Sequence, residues 1–310
     1  MQRFHHSQFT DFSRLVALKQ STNQRISVCI PTLNEAETIG AIVSILRGEL
    51  LEKIALIDEI LVIDSNSADR TVEIAQAAGA RVFQSSEVAP ESGCHPGKGE
   101  NLWKALHIAT GDIICYIDGD ISNFHPGFIT GLVAPLLIDP EIDYVKAFYE
   151  RPIGQGDYFQ ANGGGRVSEI LIRPMISLFY PELAGILQPL AGEYAARRST
   201  LESLEFPTGY GVEIAHLIDL AAAGKLGRIA QTDLVRRVHR NRAEHELGSM
   251  AFALLKVIYR RLNRDGKLTL ANPLPDLYQS WTADGDAIHL LSKEIPEPER
   301  PAIKPLQKNG

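Results

Sequence analysis

Short apolar runs alternate with longer amphipathic runs over the first half of the chain. The apolar runs are rich in β-branched residues, which is typical of buried strands, and they read ISVCIP, DEILVID, RVFQ and DIICYID. Segments with apolar residues at helical spacing lie between them, as in TLNEAETIGAIVSILRGEL and KGENLWKALHIATG. Strands that alternate with helices of this length predict an α/β protein with a Rossmann-like, doubly wound, mainly parallel sheet.

Polar residues follow three of these predicted strands, at positions 31–34, 64–66 and 118–120. In a doubly wound sheet, ligands bind beyond the carboxyl ends of the strands. The three polar clusters are therefore expected to meet at one edge of the sheet and to form a binding site.

The pattern changes beyond about residue 145 and suggests four regions. Residues 1–24 are a predicted helical lead-in, 25–145 a first α/β subdomain, 146–245 a second subdomain, and 246–310 a helix followed by a tail. The stretch 248–262 has the apolar spacing of an amphipathic helix. The tail from Pro296 onward is rich in proline and charged residues, so we expect it to be flexible.

The composition bears on the binding partners and on the cellular location of the protein. The 310 residues contain 38 acidic and 31 basic residues, a net charge of −7, which argues against a nucleic-acid partner. Three cysteines without CxxC spacing favour a reducing cytoplasm. The longest apolar stretch, 127–138, is too short to span a bilayer, and the polar N-terminal residues lack a signal-peptide pattern.

The tripeptide Asp118-Gly119-Asp120 has two interpretations. An Asp-Gly pair is a common turn signal. However, the apolar residues before it make an exposed turn less favourable, and two carboxylates there carry a desolvation cost unless a partner compensates. A divalent cation that also binds phosphate oxygens would compensate, and Mg²⁺ or Mn²⁺ typically uses few protein carboxylates in such sites.

Several other segments have both a structural and a functional interpretation. Lys98 lies between two glycines before a helix, a position that favours anion binding, but it could equally be a solvated loop lysine. Arg166 follows three glycines, and a flexible linker is the alternative. Glu213 could serve the helix dipole, and the TLNEAE segment could be a helix cap. The run RRVHRNR at 236–242 could be a solvated face or one wall of a pocket.

Eight motifs in order resemble one family across residues 31–242: PTLNEAETI, IDSNSxDxT, PGKGENLWKAL, YIDGDI, GGGRVSE, QPLAGEYA, GYGVEI and RVHRNR. The chain resembles the glucosyl-3-phosphoglycerate synthase family, whose members are retaining glycosyltransferases with the GT-A fold. GGGRVSE, PLAGEYA and RVHRNR are the most specific of these motifs. Two departures are mild: Gly119 stands where the family often has Ser or Ala, and Ser168 where it often has Thr.

The resemblance implies a role for each matching residue. The nucleotide-sugar donor UDP-glucose would be bound in region 25–145 and by the GYGVEI motif, through Pro31, Thr32, Leu33, Glu35, Ser65, Lys98, Asp118, Gly119, Tyr210 and Glu213. The acceptor would be bound in region 146–245 by Gly165, Arg166, Ser168, His239 and Asn241. Asp120 and His239 would be ligands of Mg²⁺ or Mn²⁺, and Asp120, Glu213 and Arg166 would be the catalytic residues.

The activity implied by the resemblance is glucosyl transfer from UDP-glucose to the 2-hydroxyl of 3-phospho-D-glycerate, with retention of configuration and dependence on a divalent metal. Three alternatives stay open: a GDP-mannose-dependent mannosyl-3-phosphoglycerate synthase, an inverting family-2-like transferase, and a sugar-nucleotide-binding regulator without catalysis. The resemblance also implies a homodimer.

Overall fold

The computed structural model describes residues 1–150, 153–155, 158–160, 165–238, 244–284 and 287–304. Its strands, in chain order, are Gln2–His5 (β1), Ile26–Thr32 (β2), Glu59–Asp64 (β3), Arg81–Gln84 (β4), Ile113–Tyr116 (β5), Tyr144–Glu150 (β6), Ile153–Gln155 (β7), Tyr158–Gln160 (β8), Tyr194–Arg197 (β9), Phe206–Pro207 (β10), Ile229–Arg236 (β11), Leu277–Asp284 (β12), Ala287–Glu294 (β13) and Glu299–Arg300 (β14).

The helices pack around these strands and are Phe12–Ser21 (α1), Ile39–Ile45 (α2), Thr71–Ala78 (α3), Lys98–Ile108 (α4), Gly127–Ile138 (α5), Arg173–Phe179 (α6), Arg198–Leu201 (α7), Val212–Ala222 (α8) and Glu244–Arg264 (α9). Two π-helical segments adjoin them: Leu46–Lys53 continues α2, and Ser168–Ile172 leads into α6. Short 3₁₀ turns lie at His6–Gln8, Ser85–Glu87, Pro90–Ser92, Pro181–Leu183 and Leu226–Arg228.

Eight strands form one sheet in the order β1-β11-β6-β9-β5-β2-β3-β4. All neighbours are parallel except β9, which runs antiparallel to both β5 and β6. The prediction of a doubly wound, mainly parallel α/β fold is confirmed. The sheet also crosses the expected boundary at residue 145, since β6, β9 and β11 belong to the same sheet as β2 to β5.

Side chains alternate between the two faces of the sheet and produce two hydrophobic cores. On β3, for example, Ile60 and Val62 belong to one core, whereas Leu61 and Ile63 belong to the other. The first core is covered by α1, α2, α3 and α5, and the second by α4, α6, α8 and α9. The helix α5 is apolar on every side because it is buried along most of its length.

Both ends of the described chain differ from expectation. The predicted helical lead-in begins with β1, which pairs with β11 at the edge of the main sheet. The predicted flexible tail is ordered over residues 296–304, where β14 pairs with β10 and Arg300 is buried. Its proline and charge content suggested disorder, but Arg300 forms a buried ion pair with Glu100 instead. No helix in the described part of the chain has the length and apolar character needed to cross a bilayer.

Candidate active site

One pocket opens at the carboxyl ends of β2, β3 and β5, where the sequence predicts a ligand site. Fourteen of the sixteen predicted site residues line it: Pro31, Thr32, Leu33, Glu35, Ser65, Lys98, Asp118, Gly119, Asp120, Gly165, Arg166, Ser168, Tyr210 and Glu213. The other two, His239 and Asn241, lie outside the described residues. Segments almost 200 residues apart in the chain, roughly from position 31 to position 213, therefore meet in one cavity.

The two aspartates stand just beyond β5, on a turn at positions 119–120. The Oδ1 of Asp118 lies 2.5 Å from the Nζ of Lys98, and its Oδ2 lies 2.8 Å from the Nη2 of Arg237. The same Nη2 lies 2.6 Å from the Oδ1 of Asp120. Thr38 donates a hydrogen bond to the carbonyl oxygen of Gly119 and so holds the turn. The segment is thus both a turn and a carboxylate pair that faces the pocket.

Lys98 reaches the pocket because the backbone around it packs unusually tightly. Gly97 has φ +130°, and a β-carbon at Gly99 would lie 1.8 Å from the carbonyl oxygen of Pro207. The Lys98 Nζ lies 2.8 Å from Glu213 as well as contacting Asp118. Burial alone would lower the pKa of Lys98, but these carboxylates outweigh it and hold the pKa above its usual value, so the ammonium stays charged.

Arg237 and Glu193 complete the charged cluster. Arg237 belongs to the run 236–242, for which a pocket wall is one of the two interpretations of the sequence, whereas Glu193 was not predicted. Arg237 is 3% exposed, and its Nε lies 2.8 Å from the Oε1 of the fully buried Glu193. The hydroxyl of Tyr149 donates to the other carboxylate oxygen of Glu193. Although burial opposes it, the carboxylates raise the pKa of Arg237. A glutamate inside the apolar run QPLAGEYA was the available signal for Glu193.

The net negative charge of the cluster would be neutralised by a divalent cation. It holds four carboxylates (Asp118, Asp120, Glu193 and Glu213) and two cations (Lys98 and Arg237), which leaves a net charge of −2. Two pocket-facing aspartates suit Mg²⁺ or Mn²⁺, which completes its coordination with phosphate oxygens and water. Among the described residues no group of three or more side chains forms a ready-made metal site. The residues present fit a metal that is bound together with a phosphate ligand.

The opposite side of the pocket is formed by the ends of β2 and β3, which are joined by side-chain hydrogen bonds. Thr32 donates to Asp64 (2.9 Å), and the side chain of Asn34 accepts the backbone N–H of Ala68 (2.8 Å). Asn101 on α4 donates to the hydroxyl of Ser65 (2.8 Å). The helix-cap interpretation of TLNEAE is wrong, because α2 begins only at Ile39, and Thr32 bonds to the last residue of β3 and Asn34 to the loop after it.

The predicted acceptor residues form the remaining wall. Gly165 has φ +83°, and Arg166 begins a helical stretch that continues through the π-helical segment from Ser168. Leu190, Leu247 and Met250 are apolar members of the same lining. The pocket therefore has a polar side, formed by β2, β3 and α4, and a side where one arginine stands among apolar residues. This division suits two different ligands.

Comparison with known proteins places the chain in a class. The sequence profile of glycosyl transferase family 2 matches residues 27–198, more than half of the chain. The protein is therefore a member of glycosyl transferase family 2. Glucosyl-3-phosphoglycerate synthase from Petrotoga mobilis is 52% identical over 300 residues, which cover 97% of this chain and 92% of that protein. The chain belongs to the glucosyl-3-phosphoglycerate synthase family, which confirms the resemblance seen in its motifs.

Solved structures agree with this assignment. Glucosyl-3-phosphoglycerate synthase from Mycobacterium tuberculosis, in complex with Mn²⁺, UDP-glucose and phosphoglyceric acid, superposes with a TM-score of 0.83 at 37% identity and covers 98% of each chain. Mannosyl-3-phosphoglycerate synthase from Rubrobacter xylanophilus superposes with a TM-score of 0.88 at 36% identity, over 97% of this chain and 96% of that one. Enzymes with either sugar in their name thus share this fold.

Proposed function

We propose that this protein transfers glucose from UDP-glucose to the 2-hydroxyl of 3-phospho-D-glycerate, with retention of configuration and with a divalent metal. The observation that carries the proposal is the single pocket in which Asp118, Asp120, Lys98 and Arg166 meet at the carboxyl ends of the strands. Sequence identity of 52% with a glucosyl-3-phosphoglycerate synthase supports the choice of substrates.

The donor occupies the polar side of the pocket in this proposal. Residues of the β2 and β3 ends bind the uridine: Pro31, Thr32, Leu33, Glu35 and Ser65. Tyr210 and Glu213 bind the glucose hydroxyls, and Lys98, which stays protonated, stabilises negative charge on the departing diphosphate. When bound, Mg²⁺ or Mn²⁺ supplies further neutralisation of that charge, with Asp120 and His239 as its protein ligands.

The metal assignment predicts that Asp120→Asn abolishes turnover at every Mg²⁺ or Mn²⁺ concentration. The substitution keeps the side-chain shape and removes the negative charge that would bind the cation. A metal titration of initial rate checks this result. Turnover restored by excess metal would instead mean that Asp120 contributes affinity only.

Retention of configuration raises the question of an enzymic nucleophile. Glu213 is the nearest carboxylate, but its Oε1 is paired with Lys98 at 2.8 Å, which weakens it as a nucleophile. We therefore favour front-face substitution, in which the departing phosphate oxygen accepts the proton of the acceptor hydroxyl. A covalent glucosyl–Glu213 adduct, trapped and seen by mass spectrometry, would overturn this mechanism.

The acceptor carries a phosphate and a carboxylate, and both need compensation. Arg166, with Gly165 and Ser168 beside it, lies on the less polar side of the pocket, where a guanidinium can bind such an anion. His239 and Asn241 are assigned to the acceptor by resemblance. The presence of Asp118, Asp120 and Lys98 favours an enzyme over a regulator that only binds sugar nucleotides.

A matrix of donors and acceptors tests the proposal. UDP-glucose, ADP-glucose, GDP-glucose and GDP-mannose are each incubated with 3-phosphoglycerate or glycerate, with and without Mg²⁺ or Mn²⁺, and nucleotide release is measured. Turnover with UDP-glucose and 3-phosphoglycerate is expected. Preference for GDP-mannose would establish the second candidate, which the structural similarity to a mannosyl-3-phosphoglycerate synthase brings into consideration. Absence of metal-dependent release from any donor would favour the regulator.

The anomeric configuration of the product distinguishes the proposed retaining enzyme from the inverting family-2-like alternative, because an inverting enzyme would give the β-glucoside. Such enzymes commonly place a tryptophan in a QxxRW acceptor motif. Trp103 is instead buried in α4 and donates to the carbonyl oxygen of Pro301, and Trp281 is exposed on β12. Neither tryptophan lies in the pocket lining.

We further propose a homodimer that forms through the β12–β13 hairpin. Tyr278 packs on Phe252 of α9, so the part of that face near Tyr278 is covered, while Leu291 on the same face is exposed. The other face carries a row of exposed apolar side chains, Leu277, Trp281, Ile288 and Leu290, with Trp281 directly opposite Leu290. Trp281, Leu290 and Ile288 are neighbours on this face, whereas Gln279 and Ser292 separate them from Leu277, and an exposed apolar cluster is typical of a protein interface. The three free cysteines fit the reducing cytoplasm, where we place the protein.

A further inference from the structure

The segment 295–304, which we call the C-terminal strap, lies behind the active-site pocket and is tied to α9. Lys256 donates hydrogen bonds to the carbonyl oxygens of the first two strap residues, at 2.7 and 3.0 Å. Arg260, one turn later on α9, donates to the carbonyl oxygens of Pro296 and Glu297. The beginning of the strap is thus fixed by two cationic side chains of one helix.

The strap also holds the loop that precedes the pocket lysine. Arg300 is 7% exposed and makes two 2.7 Å hydrogen bonds to the carboxylate of the fully buried Glu100. It donates in addition to the carbonyl oxygens of Ser92 (2.6 Å) and Gly93 (3.1 Å). One guanidinium therefore joins the strap to the loop before α4 and to the first turn of α4, which carries Lys98.

Glu297 contacts the other loop of the donor site, the turn at 208–211. The backbone N–H of Gly209 donates to its Oε1 at 3.0 Å, and the backbone N–H of Gly211 also donates to this carboxylate. The approach is so close that a β-carbon at position 209 would lie 2.3 Å from Oε2. The turn carries Tyr210 and leads directly to Glu213, so Glu297 lies one layer behind both side chains.

Two features of Glu297 are unfavourable for the free energy of folding. Burial raises the pKa of its carboxyl, although the two backbone donors oppose the increase. Since the folded state then binds the proton more tightly than the unfolded state, the charged carboxylate lowers the folding stability at neutral pH. Its φ of +45° is also strained for a non-glycine residue, and it stands directly before Pro298. Unfavourable terms of this kind are typical of functional positions.

We propose that Glu297 is a positioning residue for the sugar donor. Its carboxylate holds the turn at 208–211, so that Tyr210 and Glu213 face the sugar of the nucleotide donor. The assignment deepens the proposed function and depends on it for the identity of that sugar. It does not require Glu297 to contact substrate, because the residue acts through the two backbone amides of the turn.

The test compares Glu297→Gln with Glu299→Gln in the full-length protein. Glutamine keeps the volume of Glu297 but has one acceptor oxygen in place of two, so at least one backbone bond to the turn is lost. The KM for UDP-glucose is expected to rise about tenfold, and the KM for 3-phosphoglycerate to change less than about twofold. The thermal unfolding midpoint is expected to stay near that of the parent, because removal of the buried charge offsets the lost backbone bond.

Glu299 is the matched control, since it lies in the same strap but pairs with Arg261 (3.0 Å) rather than with the turn. Glu299→Gln is expected to lower the unfolding midpoint and to leave both KM values unchanged. An unchanged KM for UDP-glucose in Glu297→Gln, or equal losses for both substrates together with a lower unfolding midpoint, would overturn the positioning role.

Calorimetric titration with UDP-glucose separates this inference from the proposed function. If the parent protein binds UDP-glucose but does not glucosylate 3-phosphoglycerate, the proposed function fails. The positioning role is then decided by affinity alone. It stands if Glu297→Gln binds UDP-glucose about tenfold more weakly than the parent and Glu299→Gln does not, and it falls if the two variants bind equally.

Discussion

At the scale of single residues, Arg237 controls the charge balance of the pocket. Its guanidinium contacts Asp118, Asp120 and Glu193, and it lies 5.9 Å from the ring centroid of Tyr149. Glu193 is fully buried, and among the described residues Arg237 is the cation that pairs with it. Removal of one partner of a buried ion pair is more costly than replacement of both, because a lone buried charge remains.

Arg237→Met is therefore expected to lower the free energy of unfolding by about 3–5 kcal/mol in metal-free buffer. The double variant Arg237→Met/Glu193→Gln should recover most of this loss, since the glutamine is neutral and can still accept from Tyr149. Urea unfolding with EDTA present measures both values. A double variant as unstable as the single one would show that the loss comes from packing and not from the unpaired carboxylate.

Arg166 gives a second residue-scale prediction, which concerns the acceptor. Arg166→Ala should raise the KM for 3-phosphoglycerate by at least about tenfold, because a charge-assisted hydrogen bond to the acceptor is lost, and should change the KM for UDP-glucose much less. Steady-state kinetics with each substrate varied in turn measure this difference. Arg70→Ala, at the exposed residue that precedes α3, is the control and should leave both constants unchanged. An unaffected acceptor KM in Arg166→Ala would contradict the acceptor assignment.

The sequence allowed most of these positions to be predicted, but not their partners. Asp118, Asp120 and Lys98 each follow a local signal: an apolar strand that ends in carboxylates, and a lysine between two glycines. Arg237 lies in a run of four arginines at 236–242, where an extended segment would place it on the side of His239 and opposite Val238, but this alternation does not identify its partner. Only the tertiary structure buries this one arginine against Glu193, from a segment more than forty positions away in the chain.

At the scale of elements, the parallel part of the sheet followed from hydrophobic periodicity, whereas the insertion of β9 did not. Periodicity identifies a strand but not its neighbours or its direction. β9 lies antiparallel between β5 and β6, which brings Glu193 beside the end of β5. The order of the strap was likewise unpredictable, because Arg300 finds its partner Glu100 two hundred residues earlier in the chain.

The close contact between α4 and β10 gives an element-scale prediction. A β-carbon at Gly99 would lie 1.8 Å from the carbonyl oxygen of Pro207, so Gly99→Ala must displace the start of α4 and with it Lys98. We expect a loss of about 1–3 kcal/mol in the free energy of unfolding and a higher KM for UDP-glucose. Chemical unfolding and donor kinetics measure the two effects.

Gly48→Ala is the control for this substitution. Nothing lies within 4 Å of a β-carbon at Gly48, and the residue is in a helical segment, where alanine is preferred over glycine. Gly48→Ala should therefore be neutral or stabilising by up to about 1 kcal/mol, with unchanged kinetics. If both variants behave alike, the tight packing of α4 on β10 does not determine the position of Lys98.

At the scale of the whole molecule, the pocket and the apolar face of the hairpin are separate features. The described lining of the pocket includes Leu247 and Met250 of α9. The hairpin packs on α9 through Tyr278 and points Leu277, Trp281, Ile288 and Leu290 away from that helix. Association through the hairpin would therefore bury side chains that are not among the described residues of the pocket lining.

This separation leads to a prediction in which assembly and catalysis respond differently. The variant Trp281→Asp places a charge on the proposed apolar interface, so the dimer should dissociate. Light scattering after size-exclusion chromatography should change from twice 34.1 kDa for the parent to 34.1 kDa for the variant. Leu178→Asp, at an exposed position on α6, is the control and should stay dimeric. Because Trp281 is not among the described residues of the pocket lining, the monomeric variant should keep its turnover within about twofold and unfold with a free energy close to that of the control. A parent that is already monomeric would refute the interface, and a monomeric variant without turnover would show that the partner chain completes the site.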